Sequence, residues 1–576
     1  MRSAIRMIPI LWAAFGLGAA AELPAGPGKA ETVKLCGKCH SLDQAVSLRQ
    51  GRQGWTETLS KMVNLGAQGS DEDLTAVLQY LVKFYGSAKE APAASGSAAA
   101  APEAPSSSSA ALRPPVREER KSVPMPMGAT VDPAKEWPTY GHDPGAMRFS
   151  PLKQITPQNA GRLKVAWVYH MKPEGFTASP APVARRNPAA PVGDEPESGG
   201  RAARVQFGSG FRPSEVTPLV IQGVMYVTTP YGRVAAVDPV NGQELWAYAM
   251  PAGNPSTRGL EYWAGDGKTP AQIVFGSSDG KMYSLDAKTG KPNPAFGDNG
   301  VVNLNTPELM RGLPGRNSLT SPPIVYKHLV ITGGTTQENP PHGPAGDVRA
   351  WDLRTGKLVW TFHSIPQAGE KYNDTWAGDS WKNRSGVNVW GFLTVDAQRG
   401  IIYMPFGAPS VDQYGGDRAG DNLFGTSLVA ADANTGKYLW HFQVVHHDIW
   451  DADMTAAPAL IDVKQGGKTI PAVVAMNKSG MVFLLNRITG QPIYGVKERP
   501  VPPSEVPLER VSKTQPFPVM PPPLVRMSFG KDEVATVTPE LEAACRKLLD
   551  GMVVGGRIYH PPTTGCVCSS QAITAG

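Results

Sequence analysis

Three kinds of hydrophobic pattern follow one another along the chain. Met7 to Ala20 is almost wholly apolar, behind a start carrying Arg2 and Arg6 and ahead of Ala19-Ala20-Ala21 and Glu22. A basic start, a short apolar run and small residues are what a signal peptidase reads, so residues 1–21 are expected to be a signal peptide and the mature protein to be periplasmic. The run of about fourteen residues is shorter than the roughly twenty that span a bilayer, which leaves at most peripheral membrane contact; a retained signal anchor is the competing reading. Further on, Leu74, Val77, Leu78, Leu81 and Val82 recur at helical spacing, with Ser70 as N-cap, Asp73 as the capping-box acid and Gly86 as the stop. Residues 87–131 are alanine, serine and proline with little else. They cannot bury a core and are expected to form a tether.

From Trp137 on the pattern changes to short alternating segments joined by a recurring unit. An aspartate or asparagine is followed four residues later by glycine and usually, after four more, by an aromatic. The copies are Asp238/Gly242/Trp246, Asp286/Gly290, Asp352/Gly356/Trp360, Asp432/Gly436/Trp440 and Asn486/Gly490/Tyr494, and an incomplete one, Asn159-Ala160-Gly161 with Trp167, precedes them. Each reads as a hairpin in which Asp or Asn opens the turn and Gly takes the positive φ, and the aromatic is expected to dock between neighbouring sheets. Of the spacings of 48, 66, 80 and 54 residues, the first matches the roughly 40–50 of a minimal four-stranded blade and the others exceed it, so an all-β propeller with long loops on one face is expected.

Composition agrees with that reading. The 62 glycines and 55 prolines favour turn-rich β structure, and 13 tryptophans argue against disorder. A net charge of +6 is small for 576 residues and gives no reason to expect a nucleic-acid partner. Five cysteines are too few for a disulfide-built scaffold.

Two of those cysteines stand in Cys36-Gly37-Lys38-Cys39-His40. In this pattern two thiols form thioethers to haem vinyls and the histidine reaches the iron from one side. A thioredoxin-like pair would need a preceding strand, whereas Ala30 to Leu35 is compatible with a helix. Met62 is the expected second axial ligand, the one methionine between His40 and Met125. Residues 25–86 thus resemble a class I cytochrome c, which implies a small all-α domain holding haem c and its iron.

A second resemblance rests on Glu136 to Gly141, Arg148 to Leu152, the repeats, Thr375 to Asp379 and His446-His447-Asp448-Ile449-Trp450-Asp451. Over residues 135–562 the chain is similar to the PQQ-dependent quinoprotein dehydrogenases, most of all their glucose-dehydrogenase branch. The resemblance implies a planar tricarboxylate quinone, PQQ, with Trp390 as its stacking floor, Arg258 pairing with a carboxylate and Lys478 against the quinone oxygens. Asp451, placed 27 residues before Lys478 as in the glucose branch, is implied as the catalytic base. Glu338 or Asn339, together with Asp451, is implied to hold Ca2+ or Mg2+ through hard oxygens.

Other readings of these residues stay open. His446, His447, Asp448 and Asp451 could form a transition-metal cluster or a structural loop around Trp450. Trp390 could be a core aromatic, and Arg258 and Lys478 solvated charges. The sequence also departs from the family pattern. Asn254 to Thr257 lacks the vicinal cysteine pair of the alcohol-oxidising members, and Tyr231 stands where the glucose branch has a pocket histidine. Family members have eight blades; here about six are expected, a C-terminally truncated set, because no copy follows Tyr494. Residues 563–576, with Cys566 and Cys568, match nothing expected of the family. The function implied is oxidation of a small sugar or alcohol by hydride transfer to PQQ, with haem c delivering electrons to a respiratory cytochrome or quinone. The alternative is a non-enzymatic cytochrome whose degenerate propeller serves as a binding scaffold.

Overall fold

The computed structural model describes residues 23–36, 70–86, 135–174, 213–549 and 558–561, with isolated positions at 42, 46, 49, 52, 55, 58, 59 and 176. Cys39, His40, Met62, the expected signal peptide and tether, and Cys566 and Cys568 lie outside the described residues. The chain divides into two compact units, one around residues 1–108 and one holding residues 213–576.

In the smaller unit, helix α1 (Lys29–Cys36) packs with α2 (Asp71–Tyr85). The Ser70 hydroxyl accepts from the Asp73 N–H at 3.1 Å, so α2 starts at the expected cap. Its apolar stripe buries Val77 and Leu81 against Leu35 and Trp55, and adds Tyr80 and Tyr85, which the spacing argument passed over. The Trp55 indole donates to the Tyr85 carbonyl at 2.9 Å, closing the end of the helix. Among the described residues no helix is long and apolar enough to cross a membrane.

The larger unit is a β-propeller. Its first sheet is β1 (Leu219–Ile221), β2 (Val224–Thr229), β3 (Arg233–Val237) and β4 (Glu244–Ala249). Its second is β5 (Glu261–Trp263), β6 (Gln272–Gly276), β7 (Lys281–Asp286) and β8 (Val301–Asn303). The small β9 (Asn317–Ser318) is followed by β10 (Ile324–Tyr326), β11 (Leu329–Thr332), β12 (Thr335–Thr336), β13 (Val348–Asp352) and β14 (Leu358–Phe362). Strands β10, β11, β13 and β14 form the third four-stranded sheet, while β9 and β12 pair separately. The fourth is β15 (Thr394–Asp396), β16 (Ile401–Pro405), β17 (Ser427–Asp432) and β18 (Tyr438–Gln443). A three-stranded sheet of β19 (Ala459–Gln465), β20 (Lys468–Met476) and β21 (Val482–Asn486) comes next, then the ribbon of β22 (Val496–Pro500) and β23 (Thr514–Pro518). All pairings between these strands are antiparallel.

The repeat explains why the sheets stack. In each of the five copies the Gly N–H donates to the carbonyl of the opening Asp or Asn at 2.7–2.8 Å, with the glycine at φ between 69° and 75°. The opening side chain also accepts the N–H two residues on in four of them, at Val240, Arg354, Asn434 and Ile488. The aromatics dock as expected, and the rule is directional. Trp167 lies on Gly242, Trp246 on Gly290, Trp360 on Gly436 and Trp440 on Gly490, each indole covering the glycine of the following copy. Three of these indoles donate to the carbonyl one residue past the opening aspartate, at Pro239, Ala287 and Ala433. Docking an indole removes roughly 150–250 Å² from water, about 4–6 kcal/mol of gross stabilisation per joint. The central strands are buried on both faces; Tyr403, Leu428 and Ala430 of the fourth sheet, for instance, pack with Val473, Phe483 and Leu485 of the fifth.

Candidate active site

The site is built on the connections between strands, most of them loops between sheets, where backbone is free of ladder bonds and side chains converge from distant positions. Arg258 lies between β4 and β5, Glu338 and Asn339 between β12 and β13, Trp390 between β14 and β15, Asp451 between β18 and β19, and Lys478 in the β20–β21 turn.

The structure brings four of the expected residues together. The Arg258 guanidinium carbon lies 5.4 Å from the centre of the Trp390 ring. The Lys478 Nζ lies 5.6 Å from that centre. Lys478 donates to Asp451 Oδ2 at 2.8 Å and lies 3.3 Å from Asp453 Oδ2. Arg258 is therefore no solvated charge: it pairs with Glu215 at 3.1 Å, and its Nη1 donates to the Ser321 hydroxyl at 3.5 Å. That hydroxyl donates to the Trp390 carbonyl at 2.7 Å, tying the cation's neighbour to the indole's backbone. A slot lined by Leu319–Pro323, Gly333–Thr335 and Val389–Gly391 runs beside the indole-bearing segment.

Asp453 was missed by sequence reasoning, and it fixes the indole. Its Oδ2 accepts from Trp390 Nε1 at 2.9 Å and its Oδ1 from the Ala408 N–H at 2.6 Å, while its carbonyl accepts from the Lys478 N–H at 3.0 Å. The available signal was its position two residues after Asp451. Asp412, also missed, is a further buried carboxyl in the same field. Burial first, then Asp453 and Glu338, push its carboxyl well above the usual range. Burial, then Asp453 and Asp412, raise Asp451 to about 10 against the pull of Lys478.

Glu338 is half-buried and acts in this field, whereas Asn339 is exposed. Among the described residues no three His, Cys, Asp or Glu side chains form a group that could hold a metal by themselves. What fits a hard divalent ion is the chemistry of the donors: carboxyl oxygens whose mutual repulsion, which raises Asp412 and Asp451, a bound cation would relieve. The residues present also fit a planar polyanion: an indole with two cations near its ring and a carboxylate held by one of them. The transition-metal alternative does not fit the His446 loop. His446 Nδ1 faces Gln443 Oε1 at 2.8 Å, and His447 faces the Gly420 carbonyl at 2.7 Å and Glu509 at 3.2 Å. Trp450 packs edge-on against Tyr559 and donates to the His560 carbonyl, so it anchors the loop. Tyr231 is buried in the β2–β3 turn. In the smaller unit Cys36 ends α1 half-buried and outside any disulfide, and burial raises its thiol.

Known proteins resemble this chain along most of its length. The family model for the glucose/ethanol/alcohol dehydrogenase β-propeller domain that binds PQQ matches residues 137–574, running past Pro562, where the sequence resemblance was read to end. The chain belongs to the PQQ-dependent dehydrogenase family. It is 32% identical over 431 residues to quinoprotein glucose dehydrogenase A of Acinetobacter calcoaceticus, covering 68% of this chain and 49% of that protein. It is 31% identical over 463 residues to a quinate/shikimate dehydrogenase (quinone) of Acinetobacter baylyi, covering 75% and 53% respectively. Among solved structures, the quinohemoprotein alcohol dehydrogenase of Comamonas testosteroni superposes with a TM-score of 0.50 at 28% identity, covering 67% of this chain and 52% of that one. The chain thus spans about half the length of the curated relatives it matches.

Proposed function

We propose that this chain serves as a periplasmic quinohaemoprotein dehydrogenase, oxidising a sugar or alcohol by hydride transfer to PQQ and passing electrons through a covalent haem c to a respiratory acceptor. The observation that carries this reading is the constellation of Trp390, Arg258, Lys478 and Asp451, drawn together from three loops between sheets and one turn within a sheet. The substrates in the relatives' names, glucose and quinate, are polyhydroxylated rings and support the same class here.

Each residue has a task that follows from its contacts. Trp390 offers a flat apolar floor whose orientation Asp453 fixes at the indole N–H. Arg258, 5.4 Å from the ring centre, would pair with a carboxylate of the bound quinone. Lys478 fixes Asp451 Oδ2 and would donate towards the oxygens of a bound quinone; because burial raises Asp451 to about 10, it is the ionised form, favoured by Lys478 and by a bound divalent cation, that would take the proton of the substrate hydroxyl. Asp451 with Glu338 or Asn339, of which Glu338 is the half-buried one, would hold Ca2+ or Mg2+, which would supply Lewis acidity. In the smaller unit Cys36 and Cys39 would carry the haem thioethers, with His40 and Met62 as axial ligands. A two-electron site thereby gains a one-electron outlet in the same chain.

The test loads the purified protein with PQQ and Ca2+, adds aldoses, alcohols or quinate, and follows the absorbance of reduced haem. Wild type is expected to reduce its haem with at least one of these, and D451N to lose at least about a thousandfold in rate while still binding PQQ. Haem reduction by D451N at the wild-type rate would overturn the assignment of the base. No reduction by wild type would favour a propeller used as a scaffold.

A further inference from the structure

Asp451 has an unusual backbone. Its φ is 55°, in the left-handed region that a residue with a Cβ avoids, and His447 in the same loop has φ 44°. Something must hold the loop against relaxation, because a displaced carboxylate would leave Lys478.

We propose that Asp448 is the positioning residue that holds the catalytic base. Its carboxylate brackets Asp451: Oδ1 accepts from the Trp450 N–H at 2.9 Å and Oδ2 from the Ala452 N–H at 3.0 Å. The two amides on either side of the base are thus tied to a single rigid group. That group is itself fixed. The buried Thr426 hydroxyl, at the edge of β17, donates to Asp448 Oδ2 at 2.6 Å. Arg418, fully buried, donates to the Asp448 carbonyl at 2.6 Å and to Asn422 Oδ1 at 2.8 Å. From the far side, His447 is held between the Gly420 carbonyl and Glu509, whose Oε2 accepts from the Gly415 N–H at 2.6 Å. Asp448 touches neither Lys478 nor Trp390 through any of these bonds, so it acts on the chemistry through the backbone of Asp451. Misplacing a reacting group by about 1 Å can cost on the order of a hundredfold in rate.

The inference rests on the dehydrogenase reading, and its test is arranged so that the two can fail separately. Hydrogen exchange is measured on the full chain with D448N, T426V and T426S, and kcat, KM and the PQQ dissociation constant are measured on the holoenzyme. In D448N the Trp450 and Ala452 amides are expected to exchange at least tenfold faster, while the β17 amides keep their protection. Its kcat is expected to fall about a hundredfold, with KM and PQQ affinity within about threefold of wild type. T426V is expected to lower kcat several-fold and T426S to restore it. Unchanged exchange at residues 450 and 452, or unchanged kcat, would overturn the proposal, as would parallel loss of PQQ binding in a folded D448N. Should D448N not fold, the T426V and T426S pair decides. If wild type shows no turnover, the dehydrogenase reading falls, and the exchange data alone decide whether Asp448 holds the loop.

Discussion

The joint between an indole and the glycine of the next repeat allows a quantitative test at Gly436. A Cβ added there would lie 2.7 Å from Cε3 and 2.8 Å from Cδ2 of Trp360, well inside the roughly 3.5–4.0 Å of an ordinary carbon contact. The residue also has φ 70°, and its N–H closes the hairpin on the Asp432 carbonyl at 2.8 Å. G436A should therefore incur two costs, about 1–2 kcal/mol for an alanine in left-handed backbone and about 1–3 kcal/mol for the overlap with the ring. Gly466 provides the control, with φ 56° and no heavy atom within 4 Å of its would-be Cβ. G466A should incur the backbone cost alone. Urea denaturation followed by tryptophan fluorescence is expected to show G436A less stable than G466A by about 1–3 kcal/mol. In a W360A background, which removes the ring, the two substitutions should become equivalent. If they already agree within about 0.5 kcal/mol in wild type, the glycine is present for its turn and the docking argument fails.

Other outcomes follow from buried groups. His441 is pressed down to about 4, by burial first and then by Lys371, so the fold favours its neutral ring. That stability is complete above the ordinary value of 6.5 and is lost as pH falls from there to about 4, amounting to about 3 kcal/mol; denaturation midpoints for H441Q should lack this component. Burial raises Glu261 well above 4.5 against the donation from Thr139. Its contribution is present below pH 4.5 and is lost as pH rises toward the folded-state value, so E261Q should be at least as stable as wild type at pH 7 in the same assay. D453A leaves the Trp390 and Ala408 N–H groups without their acceptor, and should weaken PQQ binding about 10- to 100-fold in a fluorescence titration.

What could be read in the sequence is what local chemistry dictates. The Asp-x3-Gly-x3-Trp unit is legible because its turn closes within five residues and its indole lands at a fixed offset in the next copy. The second copy shows the limit: with no tryptophan eight residues after Asp286, Gly356 meets the Gly297 backbone instead, and only the fold reveals that substitute. Trp390, Arg258, Lys478 and Asp451 were found through motif resemblance, and the structure gathers them. Asp453 and Asp412 were not found, because what they do depends on loops far apart in the chain. Asp453 meets an indole 63 residues away. Asp412 is known by the field it shares with Glu338 and Asp453. The bond from Thr426 to Asp448 was equally invisible, since a threonine at a strand edge carries no spacing signal.

The central claim is that the loops around Trp390 bind a planar, polyanionic quinone. Equilibrium dialysis of PQQ against the purified full chain in the presence of Ca2+ tests it most directly. Saturable binding of one quinone per chain is expected, weakened at least tenfold in R258A and W390A. Absence of saturable binding by wild type, or binding indifferent to both substitutions, would contradict the account.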